Sequence, residues 1–341
     1  MSLYKLLYHL IILNFLWSFG DYYNKISDYN IFYGDPHNLE TTDEFLTYEL
    51  ITPLFSDYAF KHRAIYIPKN QKIKYNDKNV FEFPIGAIIS KTFYYPYDFN
   101  DSKKGISLKE TRIMIHEEDG WIGLPYIWNE DETEAYLDIA GDILDAKWID
   151  VSNKIQSIDY IVPNMNQCKS CHVNNNVFKP IGPSARQLNR PIKQKDSWIN
   201  QLILWSDMGL IDYLPENNIP KIVKWDDPLS GTVNDRARAW LDINCAHCHN
   251  YNGPANNTGL FLDYYEANLK ALGIYKTPVA AGRGSGKFKY DIVPGHPEKS
   301  ILIYRYESTD PGIMMPELGR TMVHEEGLEL IKDWILKMDN K

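Results

Sequence analysis

The sequence has few sulfur and imidazole side chains and no surplus of positive charge. Only four of its 341 residues are cysteine and nine are histidine. Acidic residues (45) outnumber basic ones (36), giving a net charge of -9, which argues against a nucleic-acid-binding surface. We find no catalytic triad, no phosphate-binding loop, no repeat period and no low-complexity tract. Hydrophobic residues make up 44% of the chain, which predicts a packed globular protein.

The one marked apolar run lies at the N-terminus. Lys5 precedes uncharged, mostly apolar residues 6–19, and Ser18 and Gly20 supply small residues near a cleavage point. The run is short for a membrane span, so residues 1–20 are predicted to be a signal peptide, with an uncleaved N-terminal membrane anchor as the alternative. The protein is therefore expected to be exported, to the periplasm or the outer surface.

The cysteines form two Cys-x-x-Cys pairs, each followed directly by histidine. They read "CKSCH" from Cys168 to His172 and "CAHCH" from Cys245 to His249. This spacing is the attachment motif of c-type haem, in which two thiols bond to the macrocycle and the histidine binds the iron. A zinc ribbon places its cysteine pairs about 15–20 residues apart, whereas 73 residues separate these. The pattern predicts two covalent haems, held by Cys168, Cys171, Cys245 and Cys248, with His172 and His249 as proximal ligands.

The last third of the chain resembles a class-I cytochrome c domain. The helical pattern "VNDRARAWLDIN" runs into the second motif, "MMPELG" follows, and a second helical pattern with apolar residues from Leu328 to Met338 ends the chain. In that family the methionine of such a loop is the distal iron ligand, which here implies Met315. Met314 is the first alternative and Met322 a weaker one.

The distal ligand of the first haem stays open. "DSWINQLILWSDM" predicts a helix capped by Asp196 with Met208 near its end, so Met208 is the tentative ligand. A methionine packed in the core is the competing interpretation. Three histidines of the N-terminal region are further candidates only if that region packs on the haem: His37, His62 and His116. The other three are expected to order loops or lie on the surface: His247, His296 and His324.

The N-terminal third has β-branched and aromatic alternation interrupted by Pro, Gly, Asn and Asp. "TRIMIHEEDGWIGLPYIW" predicts a hairpin with Asp119 and Gly120 at its turn. The predicted fold is α+β and multidomain: a mostly antiparallel β domain (21–160), a first α-helical haem segment (161–230), and a cytochrome c-like domain with the second haem (231–341).

The whole chain resembles an uncharacterised family of exported dihaem c-type cytochromes. The resemblance lies in "ITPLFSDYA", "FPIGAIISKTF", "GLPYIWNED", "NQCKSCH", "RARAWLDINCAHCH" and "MMPELG". The resemblance implies the two haems and the architecture, but no reaction and no partner. Two haems whose axial positions are both filled predict a carrier of single electrons between redox partner proteins rather than an enzyme. A dihaem peroxidase with one open iron site is the alternative, and the state of the first haem decides between the two.

Overall fold

The structure is a computed structural model that describes residues 22–194, 197–279 and 281–339. It is an α+β fold, as predicted, built on a large antiparallel sheet. Six strands follow one another in chain order across this sheet: β1 (Leu46–Thr47), β2 (Phe60–Tyr66), β3 (Ile88–Pro96), β4 (Ile106–Glu117), β5 (Gly120–Trp128) and β6 (Ala135–Leu137).

Alternation along the strands gives the sheet two different faces. On one face, Ala64, Ser90, Ile113 and Leu124 lie on neighbouring strands and are buried against the N-terminal segment. The other face carries cations, because Arg63 is opposite Lys91 and Lys91 is opposite Arg112. The sheet therefore has one apolar face and one face that is charged along its middle.

Three two-stranded sheets complete the β structure of the described residues. The largest pairs β7 (Asp142–Ile149) with β8 (Ile155–Val162), and Trp148 of β7 stacks on Tyr95 of β3 with ring centroids 4.7 Å apart. The two small hairpins are β9 (Val173–Asn174) with β10 (Val177–Phe178), and β11 (Pro191–Gln194) with β12 (Ser197–Asn200).

The described residues contain six α-helices, and two of them form a second core. The helices are α1 (Met165–His172), α2 (Ala185–Leu188), α3 (Gln201–Asp207), α4 (Val233–Asn244), α5 (Ile301–Glu307) and α6 (Glu325–Leu336). Helices α4 and α6 bury Trp240, Leu241, Ile331 and Trp334 in one apolar cluster. None of the described helices has the length and apolarity needed to cross a bilayer. The predicted signal run falls outside the described residues.

Most predicted local elements are confirmed, with differences at their ends. The hairpin of β4 and β5 exists, but Glu118 and Asp119 form its turn, and Gly120 opens β5 with a φ of 115°. The helix predicted after Asp196 begins later, at Gln201. Asn200 caps it, because its side-chain oxygen accepts hydrogen bonds from the backbone N–H groups of Leu202 and Ile203. Asp196 itself lies outside the described residues.

The N-terminal and C-terminal regions meet through the segment "FSDY". The Asp57 carboxylate accepts hydrogen bonds from the backbone N–H groups of Thr321 and Met322 at 2.7–2.8 Å. Phe55 stacks on His324, with centroids 4.3 Å apart, and its backbone N–H donates to the Asn244 side chain. These contacts attach the end of α4 and the loop before α6 to the region around the large sheet.

Candidate functional site

The first motif lies at the end of helix α1. Asn164 and Gln167 form a capping box at its start, each side chain accepting from the other residue's backbone N–H. The Nδ1–H of His172 donates to the Lys179 carbonyl at 2.7 Å, and the ring stacks on Phe178. Burial lowers the pKa of His172 to about 3, so the imidazole is neutral at neutral pH. A neutral ring held at Nδ1 leaves Nε2 for a metal.

The second motif follows α4 without a break. The backbone N–H of Cys245 donates to Leu241, and that of His249 donates to Cys245, so the motif forms a tight turn beyond the helix. The His249 Nδ1 lies 3.5 Å from the Thr258 hydroxyl. Burial lowers the pKa of His249 to about 4, against the opposing effect of a backbone hydrogen bond with Leu260. This histidine too is neutral, but its contact at Nδ1 is longer than that of His172.

The two motifs touch each other, although 72 residues separate them along the chain. The Cys248 thiol lies 3.5 Å from the Ser170 carbonyl. Just beyond the motifs, the Asn175 backbone N–H donates to the Asn252 carbonyl at 2.8 Å. A bidentate ion pair between Arg186 and Asp242, with N···O distances of 2.9–3.1 Å, joins α2 to α4 nearby. Both motifs therefore belong to one site.

Cys171, His247 and Cys248 form the closest group of donor atoms. One ligand atom from each lies within 4.8 Å of the others. A hydrogen bond with the Cys248 thiol lowers the pKa of Cys171, burial raises it, and a hydrogen bond with His247 lowers it again, so that the net shift is downward. The same pairing of thiols raises the pKa of Cys248. His247 was expected to order a loop, and its Nδ1 does lie 3.2 Å from the Ile243 carbonyl. Its proximity to Cys171 of the other motif was not foreseen from the sequence.

A cavity of about 630 Å³ opens beside the contact between the motifs, bordered by Cys171, His172, His247, Ile181 and Asp242. Cofactor pockets typically fall between about 300 and 1,000 Å³. Of the motif cysteines and their following histidines, only Cys171 and His172 line this cavity. Its size and these two residues fit one haem-sized cofactor beside the first motif.

The loop with the sequence "MMPELG" (residues 314–319), which we call the methionine loop, lies next to the second motif. Charges of Arg320 and Glu317 act on Cys245 and Cys248, respectively, and so contribute to the pKa values of those thiols. Arg320 donates to the Met315 carbonyl at 3.0 Å, which fixes the backbone at that residue. The side chain of Met314 is buried (7% exposed) and that of Met315 is partly exposed.

The residues predicted as possible distal ligands of the first haem lie in different parts of the structure. Met208 follows α3 with 52% of its surface exposed, while that helix packs into the core around Tyr48 and Trp205. Gly123 lies on the face of the sheet that is turned toward the first motif, because a methyl group added at Gly123 would lie 4.0 Å from the Cys168 Cβ. His62 lies on the other face of the same sheet. The structure brings neither side chain into a described contact with His172, so Met208 stays a prediction.

The remaining histidines have structural partners. His37 lies between Asp35 and Glu132 at 2.8 and 2.9 Å. His324 is buried, and the Trp240 indole N–H donates to its Nδ1 at 3.2 Å. These contacts give His37 a structural role at the surface and His324 a structural role in the core. His116 stacks on Trp121 and contacts the Phe83 carbonyl, and His296 contacts Glu298.

Sequence reasoning missed a group of cations beside the first motif, which we call the basic face: Lys61, Arg63, Lys91 and Arg112. Three of these cations surround the ring of Phe93, with Lys61 Nζ at 5.9 Å, Lys91 Nζ at 5.2 Å and Arg112 Cζ at 4.4 Å from its centroid. The charges of Lys91 and Arg112 contribute to the pKa values of both Cys168 and His172. A signal was present in "KHR", "SK" and "ETR", which place cations on the same face of adjacent strands.

Comparison with known protein families, curated proteins and solved structures gives no match.

Proposed function

We propose that this protein is a dihaem c-type cytochrome that carries single electrons between redox partner proteins outside the cytoplasm. The observation that supports this most directly is the duplicate motif geometry. Each CxxCH histidine is neutral, with its Nδ1 at 2.7 Å from the Lys179 carbonyl in His172 and at 3.5 Å from the Thr258 hydroxyl in His249. Two neutral histidines, each directly after a cysteine pair, favour two cofactors over one shared metal.

The residues of each motif would have distinct roles. Cys168 and Cys171 would hold one haem and His172 would bind its iron. Cys245, Cys248 and His249 would do the same for the other, with Met315 as its distal ligand. The haem supplies the one-electron couple when bound. The chain fixes the imidazole orientation, excludes water with the α4 and α6 core, and holds the methionine loop in place.

The contact between the motifs bears on what the pair would do. Groups attached at Cys171 and Cys248 would lie side by side, because these two thiols already lie within hydrogen-bonding reach of each other. Adjacent centres suit a carrier that accepts an electron at one site and delivers it from the other.

Haem content is tested by the intact mass of the denatured protein after expression with a haem-attachment system. We expect the mass of two haems in the native chain. The variant Cys168→Ser/Cys171→Ser and the variant Cys245→Ser/Cys248→Ser should each retain one. A native chain without covalent haem would refute the proposal.

A dihaem peroxidase-like enzyme is the second candidate, because no described contact assigns Met208 or His62 to the distal position of the first iron. Peroxide chemistry needs an open iron position and, on that same side, a group that moves protons. Carbon monoxide binding to the reduced protein and peroxide consumption separate the candidates. For the electron carrier we expect weak or no carbon monoxide binding and negligible peroxide turnover. Rapid binding at one haem with steady turnover would favour the enzyme.

The cluster of Cys171, His247 and Cys248 supports a third arrangement, a zinc or similar ion bound by two sulfurs and one nitrogen. It competes with the haems for the same thiols. Elemental analysis distinguishes them: two irons and no zinc are expected, and one stoichiometric zinc in a chain without haem would establish the metal site instead.

A further inference from the structure

The basic face has more positive charge than its surroundings neutralise. Among the described residues, only Arg112 of the four cations forms an ion pair, through two short hydrogen bonds to the fully buried carboxylate of Glu110. Lys61 donates to the Ala59 carbonyl at 2.9 Å and Arg63 to the Lys61 carbonyl at 3.4 Å. No described group accepts a hydrogen bond from the Lys91 ammonium.

The other nearby carboxylates are already engaged elsewhere. Asp57 accepts from Thr321 and Met322, and Glu49 is half exposed and lies 3.7 Å from Arg190. Glu110 also accepts from the Tyr160 hydroxyl at 2.5 Å. None of these carboxylates pairs directly with Lys61, Arg63 or Lys91.

In their charged forms, Lys61, Arg63 and Lys91 have no counter-charge, and this is costly at their depth. Arg63 is buried, and Lys61 and Lys91 are only partly exposed. Burial, followed by the charges of neighbouring cations, lowers the pKa of Lys61 well below its ordinary value and that of Lys91 to about 7. A buried cation without a partner costs several kcal/mol, a cost that a bound anion would offset.

The location of this surplus indicates the chemistry of its partner. Gly123 on the same sheet face lies against Phe178, whose ring is stacked on His172, and beside Cys168. We propose that the basic face binds carboxylate or similar oxyanion groups, with Arg63 as the standing charge and Lys61 and Lys91 as amines that take up a proton when the anion binds. Two sources have this chemistry. One is the pair of carboxylates carried by a haem attached at Cys168 and Cys171, which rests on the proposed function, and the other is a small free oxyanion.

The experiment compares Lys91→Gln and Arg63→Gln with Lys72→Gln, an exposed lysine of the same region that serves as the matched control. Inorganic phosphate is titrated into the purified holoprotein at low ionic strength by calorimetry, and the reduction potentials of both haems are measured. If the face holds the haem's own carboxylates, the holoprotein does not bind phosphate, and both variants lower the potential of the first haem relative to the control. A nearby cation stabilises the less positive ferrous state, so its loss acts in this direction.

If the face takes a free oxyanion, the holoprotein binds phosphate, and each variant weakens binding roughly tenfold or more, as the loss of one charge-assisted contact predicts. If the purified chain carries no haem, the phosphate titration still applies to it with the same expectation, so failure of the haem proposal remains distinguishable. The inference is overturned if both variants match Lys72→Gln in phosphate binding and in first-haem potential.

Discussion

The methionine loop should depend on one buried guanidinium. Arg320 is 4% exposed. Its Nη1 donates to the Met322 carbonyl at 3.1 Å, and its Nη2 lies 2.9–3.4 Å from four others, those of Arg305, Tyr306, Ser308 and Met315. All of these acceptors are neutral. We therefore predict that Arg320→Met, which keeps much of the side-chain length and removes every donor, destabilises the protein and releases the loop.

The magnitude follows from counting the groups left without partners. Nη2 has two protons for its four carbonyl neighbours, so it makes about two full hydrogen bonds, and Nη1 makes one more. About three carbonyls therefore lose their donor in the variant. Each buried unsatisfied group costs about 1–3 kcal/mol. Part of this loss in stability is offset, because the variant no longer pays the desolvation penalty of a buried guanidinium. We expect a loss of about 2–4 kcal/mol in the free energy of unfolding.

The assay is urea unfolding followed by far-ultraviolet circular dichroism, with the slope checked for constancy between variants. The matched control is Arg283→Met in the same region, because Arg283 is 70% exposed and forms only a surface pair with Asp310 at 3.3 Å. That control should change stability by less than about 1 kcal/mol. In the holoprotein, Arg320→Met should also lose the near-infrared sulfur-to-iron band. Equal stability of the two variants, with the band intact in both, would refute this account of the loop.

Three further predictions concern the thiols, the ligand and a buried carboxyl group. Met315→Ala should abolish the sulfur-to-iron band, whereas Met314→Ala should keep it and cost about 2–5 kcal/mol of stability as a buried truncation; the reverse pattern would reassign the ligand. Chain produced without haem and treated with a mild oxidant should form a Cys171–Cys248 disulfide, detected by peptide mapping, and predominant cross-linking within each motif would contradict the contact between motifs. Burial, followed by the charge of Asp242, raises the pKa of Asp263 to about 6 from 3.8, so the native state binds more protons and stability falls as pH rises between these values. Asp263→Asn should therefore stabilise the protein by about 1–3 kcal/mol at pH 8 and little at pH 4 in urea unfolding, and an equal effect at both pH values would argue against the shift.

Local signals were sufficient for several elements. The apolar spacing through Trp240 and Leu241 predicted α4, and the structure adds a capping box between Thr232 and Asp235 at its start. The alternation around Ile113 predicted the central hairpin, because one sheet face is buried and therefore selects apolar residues at every second position. Where the cap was predicted wrongly, at Asp196, the observed cap, Asn200, lies four residues further along the chain.

The candidate site was predictable only in part, for a physical reason. The candidate ligands of each motif are contiguous in sequence, so His172 and His249 could be proposed from the sequence alone. The approach of Cys171 to Cys248 depends on how distant segments dock, and no local pattern encodes it. The basic face likewise draws Arg63 and Lys91 from separate strands, and its surplus charge is visible only when the strand register is known.

The contact between the motifs has a consequence for the order of events during biogenesis. Once Asn175 and Asn252 are hydrogen-bonded, a loop of chain has closed, and the Cys171 and Cys248 thiols face one another rather than an attachment enzyme. In a chain that carries haem, addition at both motifs would therefore have to precede this docking. The closing contact would then be a late step in the maturation of that chain, whereas a haem-free chain could close without it.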